Sequence, residues 1–217
     1  LDVQRVVALA VDAALVDAPD HRGQRILVGL ADGSHLLATS LELADSKARL
    51  TLAGCHKTTT PAETIVFLQT LGGRTAYLSD LKPAGYKHIP FLDLPRQYRL
   101  DRNVLGASLR SGGRFYLKGI GMHSASRLTF PLDGTAARFA AEVALDDRAG
   151  QHGSVVLRVF IDAEQKYVSP ILRGGDAPVP VAVDLPATAR SLSLIVDFAE
   201  RGDELDYANW LHARLEH

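Results

Sequence analysis

Asp206-Tyr207-Ala208-Asn209-Trp210 sets two aromatic rings beside a carboxylate and a carboxamide. That grouping suits a pyranose, whose C–H face packs on a ring while its hydroxyls need oriented donors and acceptors. Trp210 is the only tryptophan in a chain with 6% aromatics, and Tyr207, Tyr167 and Tyr116 are the other candidate rings. Two arrangements are open: Trp210 is a platform, or it begins the last strand as a core residue. In the second, strand alternation leaves Tyr207 and Asn209 as the exposed pair. Carboxylates gather in turn-like segments: Asp146-Asp147 before Gly150, Asp162 with Glu164, and Asp203-Glu204 with Asp206. They either cap local amides, as Asp does in turns, or collect around a hard cation such as calcium, which takes roughly six to eight oxygens. No EF-hand spacing is present; Asp146 and Asp206 are the candidate metal ligands. Paired carboxylates for glycoside hydrolysis, such as Asp147 and Asp206, would have to stand about 5 Å or about 6.5–9.5 Å apart across an open cleft.

Other reactive residues carry less. In His123-Ser124-Ala125-Ser126 an imidazole precedes two hydroxyls, but alternation sends His123 and Ser124 to opposite faces. The plainer reading is a core or turn histidine with one hydrogen-bonded nitrogen. Gly119-Ile120-Gly121 lacks a following helix that could hold phosphate and reads as backbone freedom for a bulge or a close sheet contact. Nucleophile elbow, Walker loop, paired-histidine zinc helix and dinucleotide fingerprint are all missing, so no enzyme is expected. Cys55 is the single cysteine, which excludes an internal disulfide and leaves no structural zinc set.

The elements that must position these residues are strands. The 217 residues are 47% hydrophobic and 23% charged, with 24 Lys+Arg against 25 Asp+Glu and a formal net charge of −1. This is the balance of an ordinary globule and argues against nucleic acid as a partner. The apolar run at residues 6–11 ends at Asp12, far short of the ~20 residues that span a bilayer, so no membrane segment is expected here. Because Leu1 opens the chain and Met122 is its only methionine, a natural start upstream is expected; the ending Leu215-Glu216-His217 reads as a tag remnant.

Arg25-Ile26-Leu27-Val28-Gly29-Leu30, the turn Ala31-Asp32-Gly33-Ser34 and the apolar residues from Leu36 to Leu43 predict a hairpin. Residues 48–52 supply another strand, and Pro61-Ala62-Glu63-Thr64 opens either a helical turn or a strand. A composition shift at Gly72-Gly73 divides a small β-rich domain, residues 1–74, from a second domain, residues 75–215. There, period-two alternation is regular. Leu128/Phe130/Leu132, Phe139/Ala141/Val143/Leu145, Val155/Leu157/Val159/Ile161, Val179/Val181/Val183/Leu185 and Leu192/Leu194/Val196/Phe198 describe five strands of an antiparallel sandwich, each with one wet face.

From about Thr75 to Leu215 the chain resembles the carbohydrate-binding module associated with family 98 glycoside hydrolases. The resemblance runs through Tyr77-Leu78-Ser79-Asp80-Leu81, Tyr116-Leu117-Lys118-Gly119-Ile120-Gly121-Met122-His123-Ser124, Arg138-Phe139, Leu145-Asp146-Asp147, Gly153-Ser154-Val155, Val159-Phe160-Ile161-Asp162 and Asp206-Tyr207-Ala208-Asn209-Trp210. It implies an all-β, galactose-binding-like jelly roll that is non-catalytic, binds galactose-type or related glycans weakly, requires no cofactor and often holds a structural calcium. It also implies an extracytoplasmic setting, secreted, periplasmic or envelope-anchored, in a bacterium. Where the family commonly has Asp-His-Ala-Asp-Trp, this chain has Tyr207 and Asn209. The carbohydrate site is accordingly assigned to Tyr207, Asn209, Asp147 and Trp210, with Asp146 and Asp206 as metal ligands. The first domain looks SH3-like or barrel-like, of the kind that could engage a protein partner. The alternative function is a structural or protein-interaction module that keeps the jelly roll without sugar binding.

Overall fold

The computed structural model describes residues 23–52, 55–90 and 95–217; the apolar run at residues 6–11 lies outside them. The chain forms two compact units, Leu1–Gly73 and Arg74–His217.

Among the described residues, the first unit holds one antiparallel sheet built from β1 (Arg25–Leu30), β2 (His35–Ala44), β3 (Lys47–Leu52), β4 (Lys57–Pro61) and β5 (Ile65–Leu71), in the order β4-β3-β2-β1-β5. The β1–β2 hairpin turns on Gly33, at φ 86°, while the Asp32 carboxylate accepts the Ser34 amide at 2.9 Å. After Pro61 both alternatives are realised in succession, a single 3₁₀ turn over Ala62–Thr64 and then strand β5. Val28, Ala38 and Leu50 form a small core.

The second unit is a sandwich. Its strands are β6 (Thr75–Tyr77), β7 (Gly85–His88), β8 (Arg99–Leu100), β9 (Leu109–Ser111), β10 (Arg114–Tyr116), β11 (Gly119–Met122), β12 (Ser126–Pro131), β13 (Arg138–Leu145), β14 (Ser154–Ile161), β15 (Glu164–Val168), β16 (Leu172–Arg173), β17 (Val179–Asp184), β18 (Ser191–Phe198) and β19 (Ala208–Glu216). One sheet runs β17-β13-β19-β11-β8 with β6 also on β19. The other runs β15-β14-β18-β12-β7 with β16 on β14. The alternating residues read from the sequence meet between them, except Phe198 at the end of β18, which is exposed: Phe139, Val143, Leu157, Val159, Leu192, Leu194 and Trp210 are all fully buried in one core. Burial of such side chains contributes roughly 1.5–3 kcal/mol each, which fixes strand register because a one-residue slip would expose the whole set.

Two departures from simple alternation shape the molecule. In β19, Trp210, Ala213 and Leu215 all point inward although they are not evenly spaced, because a bulge at His212 (φ 51°) inserts a residue opposite β13. Leu215 and Glu216 are the last residues of that strand, with Leu215 paired to Phe139 and Glu216 to Arg138. The outer face of β13 and β19 is not simply wet, since the β9–β10 hairpin packs Leu109 and Tyr116 onto Ala144 and Leu211. That hairpin was not anticipated, being two strands of three residues joined at Gly112-Gly113.

Candidate functional site

Three connections converge at one end of the sandwich: the segment after β7, the β11–β12 turn and the loop between β18 and β19. Their meeting follows from register. β11 and β19 are antiparallel with Met122 opposite Ala208, so the next residues outward, His123 and Tyr207, face each other with ring centroids 6.1 Å apart. β12 and β7 pair with Ser126 opposite His88, and Ala125 takes φ 55° to turn the chain there. This sets the His88 ring edge-on to His123, centroids 5.9 Å apart. Arg96 closes the group: its amide donates to His88 Nδ1 at 3.0 Å and its guanidinium lies 6.0 Å from the Tyr207 ring centre. The Arg96 carbonyl accepts the Tyr86 hydroxyl at 2.6 Å, and Tyr86 packs on Tyr98.

The electrostatics are those of a desolvated polar pocket. Burial, with help from the Arg96 charge, pushes His123 down to about 4, so its imidazole is neutral at neutral pH. Burial likewise lowers His88, again assisted by Arg96, while Asp203 pulls both histidines the other way. Asp206 is fully buried and its carboxyl is pushed up to about 6 by that burial. The Ser154 amide, which donates to it at 2.9 Å, and the Ser124 hydroxyl act against the rise. The arrangement offers a half-buried tyrosine ring, a guanidinium, two neutral imidazoles and a carboxylate at one rim. That combination can stack a sugar ring and bond its hydroxyls; it contains no activated nucleophile.

The sequence-assigned residues separate. Tyr207 is in this group. Trp210 is fully buried, its ring 6.3 Å from that of Phe139, and is a core residue rather than a platform. Asn209, expected at the surface, is also fully buried. Strand alternation turned it outward correctly, but the segment carrying Asn103 covers that side of the sheet. Asn209 and Asn103 both donate carboxamide N–H to Asp146, at 2.8 and 3.1 Å, and the Arg110 and Arg148 amides complete the set at 3.2 Å each. With four protein donors on its two oxygens, Asp146 does not fit a cation ligand; Asp206 is held through one oxygen only, by the Ser154 amide, and its Oδ2 has no hydrogen-bond partner among the described residues. Among the described residues no three His, Cys, Asp or Glu side chains group as a metal site. Asp147 bonds elsewhere, accepting the Gly113 amide at 2.9 Å and pairing with Arg110 at 3.0 Å. Burial of Asp206 also removes the open cleft that an Asp147 and Asp206 hydrolytic pair would need.

Sequence reasoning missed His88 and Arg96, named Asp203 only among the turn carboxylates, and read His123 as architecture. Only the strand registers bring them together; the one local signal was a histidine and a tyrosine each standing just outside a strand end. Gly121 does serve close contact, since a Cβ there would lie 2.5 Å from backbone atoms of Arg102, Asn103 and Val104.

Comparison with known proteins places this geometry. Alpha-1,3-galactosidase B of Akkermansia muciniphila is 31% identical over 116 residues, 52% of this chain and 14% of that protein. A Renibacterium salmoninarum relative is 29% identical over 110 residues, 51% of this chain and 7% of the relative, so the chain spans a small part of both. The solved CBM51 module of Clostridium perfringens GH95, in complex with methyl-galactose, superposes with TM-score 0.57 at 24% identity, over 65% of this chain and 99% of the module. The M60 catalytic domain with its CBM51-1 and CBM51-2 domains, from Clostridium perfringens ZmpB, gives TM-score 0.59 at 26% identity over 82% of this chain and 19% of that one. Residues 74–216, the whole sandwich and the loops at its end, match the model of the NPCBM/NEW2 domain, and the chain therefore belongs to that family of carbohydrate-binding modules.

Proposed function

We propose that the sandwich binds a glycan without catalysing its cleavage, and that the ligand is a galactose-type sugar held at the loop end by Tyr207, Arg96, His123, His88 and Asp203. The observation that carries this is the half-buried Tyr207 ring, bordered by the Arg96 guanidinium and facing a neutral imidazole. A millimolar Kd corresponds to only about −4 kcal/mol, within reach of one ring stack and a few hydrogen bonds. The galactose preference is supported by the methyl-galactose held by the related module and by the galactosidase in which a related segment occurs. An extracytoplasmic location is supported by the same relatives. Among the described residues no helix is long and apolar enough to cross a membrane.

Calorimetric titration with methyl galactoside and N-acetylglucosamine tests the reading. Binding is expected for the galactoside and is expected to disappear in Tyr207→Ala with the circular dichroism spectrum unchanged; a variant that binds as before sinks the site. No turnover is expected on nitrophenyl glycosides. A second reading, a protein contact through the first unit, is favoured by exposed Val66 and Leu68 on the outward face of edge strand β5, where an added strand could pair.

A further inference from the structure

Away from the loop end, the β9–β10 turn, the outer face of β13 and β17 and the segment 175–178 enclose a groove of about 500 Å³. This lies within the ~300–1,000 Å³ range of small-molecule pockets. Its polar lining comes from Ser111, Arg114, Tyr116 and Glu142, and its apolar lining from Pro178 and Pro180. Ser111 is 1% exposed, yet its hydroxyl has no hydrogen-bond partner among the described residues. A buried hydroxyl left so costs about 1–3 kcal/mol; its oxygen is closed to solvent as it stands, so a ligand hydroxyl would relieve that cost only with the Ser111 side chain turned into the groove. Glu142 sits against the Tyr116 hydroxyl and, after burial, is the main influence raising it, with Arg114 acting the other way. The lining thus carries one carboxylate and one guanidinium, a balance that selects neither a phosphate nor a free cation. It suits a neutral ligand with neighbouring hydroxyls, two for the carboxylate and one for the guanidinium, over proline C–H surface.

We propose that this groove is a second saccharide site, separate from the loop end, with Glu142, Arg114, Tyr116 and Ser111 as its polar contacts. The proposal rests on the carbohydrate reading above for its ligand class and on nothing else from it. Two sites on one module would raise retention on a branched or repeating glycan by effective concentration.

Amide-resolved NMR titration of the full chain with methyl galactoside and with lactose separates the two. Saturable shifts are expected at residues 111–114 and 175–177, with a second, independent set at 203–207. Glu142→Gln and Tyr116→Phe, which keep volume and fold, should weaken the first set about tenfold and leave the second in place; Tyr207→Ala should do the reverse. Shifts at 203–207 alone reject the groove and keep the loop-end reading. Shifts at the groove alone reject the loop-end reading and keep the groove, and an unresponsive protein rejects both. Groove shifts that persist at full strength in both Glu142→Gln and Tyr116→Phe also overturn this assignment.

Discussion

His123 and Asp206 are both buried and titrate in opposite senses over nearly the same pH range. His123 accepts a proton only near 4 when folded but near 6.5 when exposed, so the unfolded chain holds the extra proton between those values and stability falls as pH drops through them. Asp206 keeps its proton up to about 6 when folded but only to 3.8 when exposed, so stability falls as pH rises from 3.8 to 6. Each effect amounts to roughly 3 kcal/mol, and together they should leave stability nearly flat between about pH 4 and 6. Asp206→Asn removes one side of this balance. The variant should gain stability at pH 7, up to roughly 3 kcal/mol, and should lose it steadily as pH falls from 6.5 to 4. Urea unfolding at pH 4.5 and 7 checks both; an asparagine variant that is weaker at pH 7 would refute the burial of an ionised Asp206. At the site itself, charging His123 below pH 4 should abolish sugar binding, because the imidazole then loses its acceptor nitrogen.

At the scale of elements, the loop end is held by interactions that are not themselves functional. Asp146 ties the Asn103 segment, β9, the 3₁₀ turn Asp147–Ala149 and β19 together through four hydrogen bonds. Asp146→Ala would strand the two buried carboxamide donors and free two half-buried amides, at a cost of roughly 3 kcal/mol, measurable as a lowered urea midpoint. Gly121→Ala tests a different contact. The atoms nearest its Cβ would be main-chain atoms of Arg102, Asn103 and Val104. Since backbone cannot rotate away, about 1–3 kcal/mol of overpacking is expected, and β8 should separate from β11. Retained hydrogen-exchange protection at the paired residues of β8 and β11 in that variant would contradict the tight contact. The β9–β10 hairpin has the further task of covering Ala144 and Leu211, which is why the outer face of this sheet holds a groove instead of an open polar surface.

For the whole molecule, the two units differ in how much core each owns. Among the described residues, the second encloses one extended cluster between two sheets, whereas the first buries Val28, Ala38 and Leu50 with a few half-buried neighbours. Small cores are marginal, so the first unit should melt at the lower temperature. The fragment Arg74–His217 alone should keep the upper calorimetric transition within about 5 °C of its place in the full chain, the shift that roughly 1–2 kcal/mol produces. A fragment that unfolds without a cooperative transition would mean that the sandwich depends on the first unit.

The sequence by itself determined the class of fold and most of the inner face, because period-two alternation directly records which side of a strand is dry. Phe139, Val143, Leu157, Leu194 and their neighbours are buried where that pattern puts them. It also carried the family, since each stretch that bears the resemblance is contiguous in the chain. Tyr207, singled out because it lies in a loop beside a polar run, does stand half-buried among the converging loops. The core place of Trp210 was one of two readings the sequence left open; Asn209 was not legible as interior, nor His88, Arg96 and His123 as neighbours. Facing outward from a strand does not decide exposure when a distant segment, here that carrying Asn103, folds over the same side. Equally, only the pairing of Met122 with Ala208 and of Ser126 with His88 brings the three loops together. Register between strands far apart in the chain is a property of the assembled sheets, set by the joint burial of both inner faces, and no single segment encodes it.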